Sequence, residues 1–193
     1  MEATIQEWLG ESAALFGRVR EETTRAIQTA GQALVVCLTR GGKVLVAGNG
    51  GSASQAQHLA TELAGRFLLS ERRPLPCVAL CADTAILTAL GNDFGYEAVF
   101  SRQILALAKP GDTAVFLSTS GSSRNVVAAA STARTCGLCV IGLTGEGGGA
   151  LRQCCDILVA VPSTFTPHIQ EAHLAILHIW CQMVDTAFGG DRP

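Results

Sequence analysis

No apolar run in this 193-residue chain approaches the roughly 18–20 residues needed to span a bilayer, so a membrane is not expected among its partners. Charge is scarce as well. Asp, Glu, Lys and Arg make up 16% of the residues, and the formal net charge is −2. There is no run of lysine or arginine, and RVREETTR near the N-terminus mixes both signs, so no nucleic-acid surface is expected. The opening MEATIQEWLGES is acidic and amphipathic, without the basic-then-apolar pattern of a secretory signal, and cytoplasmic residence is the expectation. Neither a G-x-x-x-x-G-K-[ST] loop nor a G-x-G-x-x-G fingerprint occurs, which argues against nucleoside triphosphates and dinucleotides.

Apolar residues are plentiful at 48%, enough for a substantial buried core in one domain over residues 1–193. Eight cysteines fall mostly inside apolar runs such as LVVCL and PCVALC, where a reduced thiol packs as a small core residue. Cys136 and Cys139 form a C-x-x-C pair, but at a helix end leading into a strand, whereas a redox pair opens a helix. No second C-x-x-C completes a zinc site.

The periodicity predicts two helices over Ile5–Val19 and Thr24–Thr39, an N-terminal helical extension (residues 1–40) whose apolar stripe suits burial against another subunit. From residue 43 onward, short β-branched strands alternate with helices. The strands are expected at Lys43–Ala47, Cys77–Cys81, Thr113–Ser118, Cys139–Leu143 and Ile157–Val161. The helices between them are expected at Ala53–Leu68, Ala82–Gly91, Val99–Ala108 and Ser122–Cys136, with a long closing helix over Ile169–Phe188. This alternation specifies an α/β fold, a doubly wound, mainly five-stranded parallel sheet with ligands outside the carboxyl ends of its strands.

Two strand-to-helix turns carry chemistry. Ser118-Thr119-Ser120-Gly121-Ser122-Ser123 sets five hydroxyls around one glycine. Hydroxyls and helix-start N–H groups can hold a phosphate without lysine or arginine, and the cluster exceeds what one helix cap requires. Gly48-Asn49-Gly50-Gly51-Ser52 is weaker as an anion cradle and suits a sugar pocket and a helix start. Two such turns on neighbouring loops point to a sugar phosphate. Gly91-Asn92-Asp93-Phe94-Gly95-Tyr96 is a third loop candidate, although Asp93 also reads as a turn former.

His58 and Glu62 are four residues apart and share a helix face. Gln170 and His178, eight apart, share a face of the closing helix two turns from each other. Polar groups on apolar helices need partners, and the two faces suit each other. Glu171 and His173 point elsewhere and read as surface or interface groups.

The segments GNGGSASQAQHLATELAGRF, GNDFG, STSGSSRNV, LTGEGGGAL and HIQEAHLAILHIWCQM resemble the sugar-isomerase (SIS) domain, in particular the phosphoheptose isomerase family, over nearly the whole chain. The resemblance implies an aldose–ketose isomerase acting on sedoheptulose 7-phosphate, a cytoplasmic homotetramer with active sites at subunit interfaces. It implies one zinc ion per subunit at His58, Glu62, Gln170 and His178. Ser118, Thr119, Ser120 and Ser123 would hold the phosphate. Asn49, Gly50, Gly51, Ser52, Arg66, Asn92, Asp93 and Gln170 would meet or support the sugar. Glu62 and His178 are the candidate proton-transfer pair for the enediol step. Family members often carry an acidic residue and an arginine where this chain has Pro167 and His168, which removes a possible sugar contact. Non-enzymatic adaptors of the same superfamily, which bind the bacterial replication initiator, are not expected to keep both Glu62 and His178. A related isomerase for another sugar phosphate is the remaining alternative.

Overall fold

The computed structural model describes residues 1–189. Five strands form one all-parallel sheet in the order β2-β1-β3-β4-β5. They are β1 (Val44–Gly48), β2 (Cys77–Ala79), β3 (Thr113–Ser118), β4 (Cys139–Thr144) and β5 (Ile157–Ala160). Every residue of β1 and β3 is buried, as central strands covered on both faces require. β2 at one edge is only three residues long and part-exposed, the usual way an edge is kept from pairing with another chain. Because β1 is flanked by β2 on one side and β3 on the other, the chain reverses its winding direction between β1 and β3. A crevice opens there, outside the strands' carboxyl ends.

The helices are α1 (Glu2–Glu22), α2 (Thr24–Thr39), α3 (Gly51–Ala64), α4 (Thr84–Phe94), α5 (Ser101–Leu107), α6 (Arg124–Thr135) and α7 (Thr166–Phe188). α7 packs along α1, α2 and α3, while α5 and α6 pack against each other. Trp180 on α7 is fully buried, and its indole N–H donates to the Ile27 carbonyl of α2 at 2.9 Å. Truncating such a residue to alanine costs about 3–5 kcal/mol. The extension is therefore fastened to the core through α7, although α1 leaves Ile5, Trp8, Leu9 and Phe16 exposed.

Several boundaries shift from expectation: α1 runs over Glu2–Glu22 rather than Ile5–Val19, β2 stops at Ala79 rather than Cys81, and α7 starts at Thr166 rather than Ile169. Two further shifts have a visible physical cause. α3 ends at Ala64 rather than running to Leu68, because the Arg72 guanidinium takes the carbonyls of Glu62 and Leu63 that a further turn would have used. α4 runs through Phe94, so Asn92 and Asp93 lie in its last turn and not in a loop; Gly95, at φ +82°, ends it. A short 3₁₀ turn over Gly149–Cys154 was not expected. Cys136 closes α6 and Cys139 opens β4, and the eight cysteines are free thiols, so the C-x-x-C pair sits where a structural pair should.

Candidate active site

The serine turn leaves β3 at Ser118 and enters α6 at Arg124. Gly121 N–H donates to the Ser118 carbonyl at 3.0 Å, with Gly121 at φ +64°. A β-carbon on Gly121 would run into the Gly148 carbonyl, so both the turn and the approach of the second loop demand glycine. That second loop braces the turn from behind. Gly145 N–H donates to Thr119 O at 3.0 Å, and Leu151 N–H to Gly121 O at 2.8 Å. Within the turn, Ser120 Oγ accepts from Ser122 N–H at 3.2 Å and Ser122 Oγ donates to the Ser120 carbonyl at 3.3 Å. Ser123 is the residue before α6, yet its hydroxyl does not cap the helix; it lies 3.1 Å from the Ser118 hydroxyl. The helix start is thus left without a side-chain cap, as an incoming anion would need.

Asn49, at the end of β1, joins this turn. Its Nδ2 donates to Asn125 Oδ1 at 2.8 Å, and Asn125 Nδ2 returns a bond to Asn49 Oδ1 at 3.0 Å. The Tyr96 hydroxyl adds a third bond to Asn49 Oδ1 at 3.1 Å. Asn49 precedes α3 and Asn125 lies in the first turn of α6, so this amide pair holds two helix N-termini side by side. A cavity of about 410 Å³ opens beside it, lined by Asn49, Tyr96, Glu97, Ser123, Arg124 and Asn125. In the GNGGS turn, the N–H groups of Ser52 and Ala53 are spent on the carbonyls of Asn49 and Gly50. That turn starts a helix and shapes a pocket more than it cradles an anion.

The second half of the site lies between α3 and α7, which run side by side in the same direction. At the head of α3, the Gln170 amide packs so closely on Gly51 that a β-carbon there would lie 2.7 Å from Nε2 and 2.8 Å from Oε1. The Gln170 carbonyl also accepts from Gln55 Nε2 at 2.6 Å. Two turns further on, His58 Nε2 and His178 Nε2 face each other at 2.9 Å, and Glu62 Oε1 lies 3.6 Å from His58 Nε2. Phe67 stacks on the His178 ring, with centroids 5.6 Å apart and planes at 22°. Cys181, one turn beyond His178, is not a competing nucleophile. Burial, assisted by the carboxylates of Glu62 and Asp185, pushes its thiol up to about 12.

The residues present suit a divalent cation by donor type. Two imidazole nitrogens cannot both donate to each other at 2.9 Å, so at least one lone pair is aimed into the gap, with a carboxylate alongside. Among the described residues, no group of three His, Cys, Asp or Glu side chains is closed around a common point, and the Gln170 amide stays at Gly51. Of the four expected ligands, His58 thus meets His178 on one side and Glu62 on the other, while Gln170 packs on Gly51 at the head of α3.

Residues 7–145 match the SIS domain family. The phosphoheptose isomerase of Rhodospirillum rubrum is 49% identical over 187 residues, covering 97% of this chain and 98% of that protein. This chain belongs to the phosphoheptose isomerase family. Among solved structures, the phosphoheptose isomerase of Francisella tularensis superposes with a TM-score of 0.92 at 38% identity, covering 95% of this chain and 97% of that one. That of Neisseria gonorrhoeae gives 0.91 at 37%, covering 96% and 98%.

Against the family pattern, the structure gathers Asn49, Gly50, Gly51, Ser52 and Gln170 at the head of α3. Ser118, Thr119, Ser120 and Ser123 form the serine turn, and His58, Glu62 and His178 lie along α3 and α7. Arg66 is exposed, two residues past the end of the shortened α3. Asn92 and Asp93 are exposed and bond to each other at 2.8 Å, not to the serine turn or Asn49. Pro167 and His168 begin α7, but His168 turns away from the pocket. It is 5% exposed and packs edge-on against Trp8 and Phe165. Glu171 binds Trp8 and Ser12 of α1. His173 is not a surface group: it is fully buried, 3.1 Å from the Thr144 carbonyl, and burial pushes its imidazole down to about 4. Asn125 and Tyr96 are additions that the sequence reading missed. The available signals were a poor helix former in the first turn after the serine loop and the chain's one tyrosine beside GNDFG.

Proposed function

We propose that the protein interconverts sedoheptulose 7-phosphate and D-glycero-D-manno-heptose 7-phosphate through an enediol, in the synthesis of heptose precursors. The observation that carries this reading is the meeting of His58, Glu62 and His178 from two helices, in a family member whose serine turn leaves a helix start open to a phosphate.

The reaction moves a proton between C1 and C2 and a hydrogen between the two oxygens. It needs a base at carbon, an acid at oxygen and stabilisation of the enediolate. Phosphate held by Ser118, Thr119, Ser120, Ser123 and the α6 N-terminus anchors one end of the sugar. Asn49 and the backbone of Gly50 and Gly51, with Ser52, Asn92, Asp93 and Arg66 toward the rim, orient the chain. That directs C1 and C2 along α3 toward His58, about 10 Å from Gly51 at the rise of a helix. Glu62 takes the proton at carbon and returns it to the neighbouring carbon. His178, facing it from α7, hands the hydroxyl hydrogen between the oxygens. His58, Glu62 and His178, with Gln170, are the residues that would hold a divalent ion, zinc by donor type; bound there, it supplies polarisation of the carbonyl.

The apolar surface of α1 and of α4, which buries none of its residues, supports a homotetramer with sites at subunit interfaces. Free cysteines suit the reducing cytoplasm. No helix among the described residues is long and apolar enough to cross a membrane.

The test is direct. Purified protein incubated with sedoheptulose 7-phosphate is expected to form the aldose, with pentose and hexose phosphates turned over far more slowly. Preferred turnover of either control would reassign the substrate, and no turnover of any sugar phosphate would remove the enzyme reading.

A further inference from the structure

We propose that Arg72 and Asp185 are positioning residues for this isomerisation: a buried clamp that sets Glu62 and His178 against each other, reaching the His178 ring through Phe67. The inference rests on the isomerase reading above.

The side chains of Arg72 and Asp185 are 0% and 4% exposed. Burying such a pair costs several kcal/mol in desolvation, and apolar residues of similar volume are often as stable or more so. The pair therefore calls for a reason other than stability, and its hydrogen bonds supply one. Arg72 Nε donates to Asp185 Oδ1 at 2.7 Å. Nη2 donates to the carbonyls of Glu62 at 2.7 Å and Gly65 at 3.4 Å, and Nη1 to those of Leu63 at 3.0 Å and Arg73 at 2.7 Å. A single side chain thus closes the last turn of α3, the turn that carries Glu62.

Asp185 works at the other end. It lies seven residues after His178, two turns along the same face of α7. While Oδ1 holds Arg72, Oδ2 accepts from the N–H groups of Leu68 at 2.8 Å and Leu69 at 3.0 Å. That fixes the segment after α3, and the residue just before Leu68 is Phe67, the ring stacked on His178. One carboxylate therefore belongs to the helix of His178, holds the helix end of Glu62, and pins the ring that covers His178. Sliding or splaying α3 against α7 would change the Glu62–His178 relation first, since, Arg66 apart, the groups assigned to sugar and phosphate sit at the opposite end of α3 or on other elements.

The deciding measurement is the split between kcat and KM on sedoheptulose 7-phosphate. Replacing the pair by apolar residues, Arg72→Met with Asp185→Leu, removes both charges together but leaves the backbone groups they serve without partners, so the unfolding temperature is expected to fall and kcat is read well below it. The double variant is expected to lower kcat by about tenfold or more with KM little changed, since a small misplacement of reacting groups is costly. Phe67→Leu is expected to move kcat in the same sense. Asp112→Asn is the control. It breaks the ion pair with Lys43 at the other end of the sheet and should lower the unfolding temperature with kcat intact. Should the double variant unfold, Arg72→Lys keeps a cation for Asp185 without the fork that holds the α3 carbonyls, and it should show the same kcat loss. Wild-type kcat in the folded double variant, or in Arg72→Lys if the former unfolds, overturns the proposal. A wild-type protein inactive on every sugar phosphate removes instead the isomerase reading, and with it the catalytic role of the clamp.

Discussion

The Asn49–Asn125 pair gives the sharpest quantitative test of how the two loops are joined. Asn125→Ala removes two amide hydrogen bonds, of 2.8 and 3.0 Å, from a residue that is 3% exposed. Each is worth about 1 kcal/mol net, and the Nδ2 of Asn49 left without a partner adds about 1 kcal/mol more. The Tyr96 hydroxyl still serves Asn49 Oδ1, which limits the loss. A destabilisation of about 2–3 kcal/mol follows, or about 5–10 °C in unfolding temperature for a domain of this size. Asn49→Ala removes the same two bonds from the other side, so the double variant should be little worse than either single one. The coupling energy expected from the cycle is about 1–2 kcal/mol. Calorimetry at fixed protein concentration measures this, since the proposed subunit association would make unfolding temperature depend on concentration. In turnover, Asn125→Ala should raise KM more than it lowers kcat, since the sugar contact proposed for Asn49 depends on the Asn125 amide. Additive losses across the cycle, with coupling below about 0.5 kcal/mol, would show that the two amides do not act as a unit and refute the reasoning.

Four further outcomes are expected. Glu62→Gln and His178→Gln should each lower kcat by about 100-fold or more with the assembly intact by gel filtration, and near-normal turnover in either would sink the proton-transfer assignment. Chelation should abolish activity and zinc should restore it, whereas full activity in chelator with no metal by elemental analysis would dismiss the cation. The third concerns pH. His173 has a folded pKa of about 4, below its unfolded value, so its contribution is complete above about pH 6.5 and is lost as the pH falls toward 4. The unfolded chain then binds a proton the folded one refuses, a loss of about 3 kcal/mol; a His173→Gln profile just as steep would contradict it. Finally, Gly121→Ala should weaken inorganic phosphate binding at least about tenfold by calorimetry, because the turn must leave φ +64° and part from Gly148; unchanged binding would show that this turn is not the anion site.

Local patterns proved legible and long-range pairings did not. The limits of α2 and β3 follow the sequence reading residue for residue, because amphipathic spacing and a β-branched run are properties of the segment itself. The facing of α3 and α7 was also readable, since two polar pairs on apolar helices had to find partners. What ended α3 was not, because the cause is an arginine ten residues beyond Glu62 whose partner is 113 residues further along the chain. Nothing in the spacing of Arg72 distinguishes it from the adjacent Arg73. Asn92 and Asp93 were misplaced for the opposite reason. Asn, Asp and Gly form turns so often that the tertiary packing carrying α4 through Phe94 could not be seen locally. His168 shows a third limit: its aromatic contacts with Trp8 and Phe165 depend on how α1 lies across α7.

The absence of lysine from the phosphate turn is explained by what the amide pair brings together. α3 and α6 both point their N-termini at the crevice between β1 and β3, and Asn49 and Asn125 hold those ends in contact. Each helix start carries roughly half a positive charge, so the two ends repel each other unless something negative lies between them. About one unit of positive charge is therefore built into the backbone beside the amide pair, with the α6 start, next to Ser118 and Ser123, as the end left open to an anion. A phosphate dianion bound there, as proposed, would relieve that repulsion and be only half neutralised in turn. The cost of keeping two like poles together falls on the side-chain bonds between Asn49, Asn125 and Tyr96, so under the phosphate reading proposed above these residues support that site together with the serines.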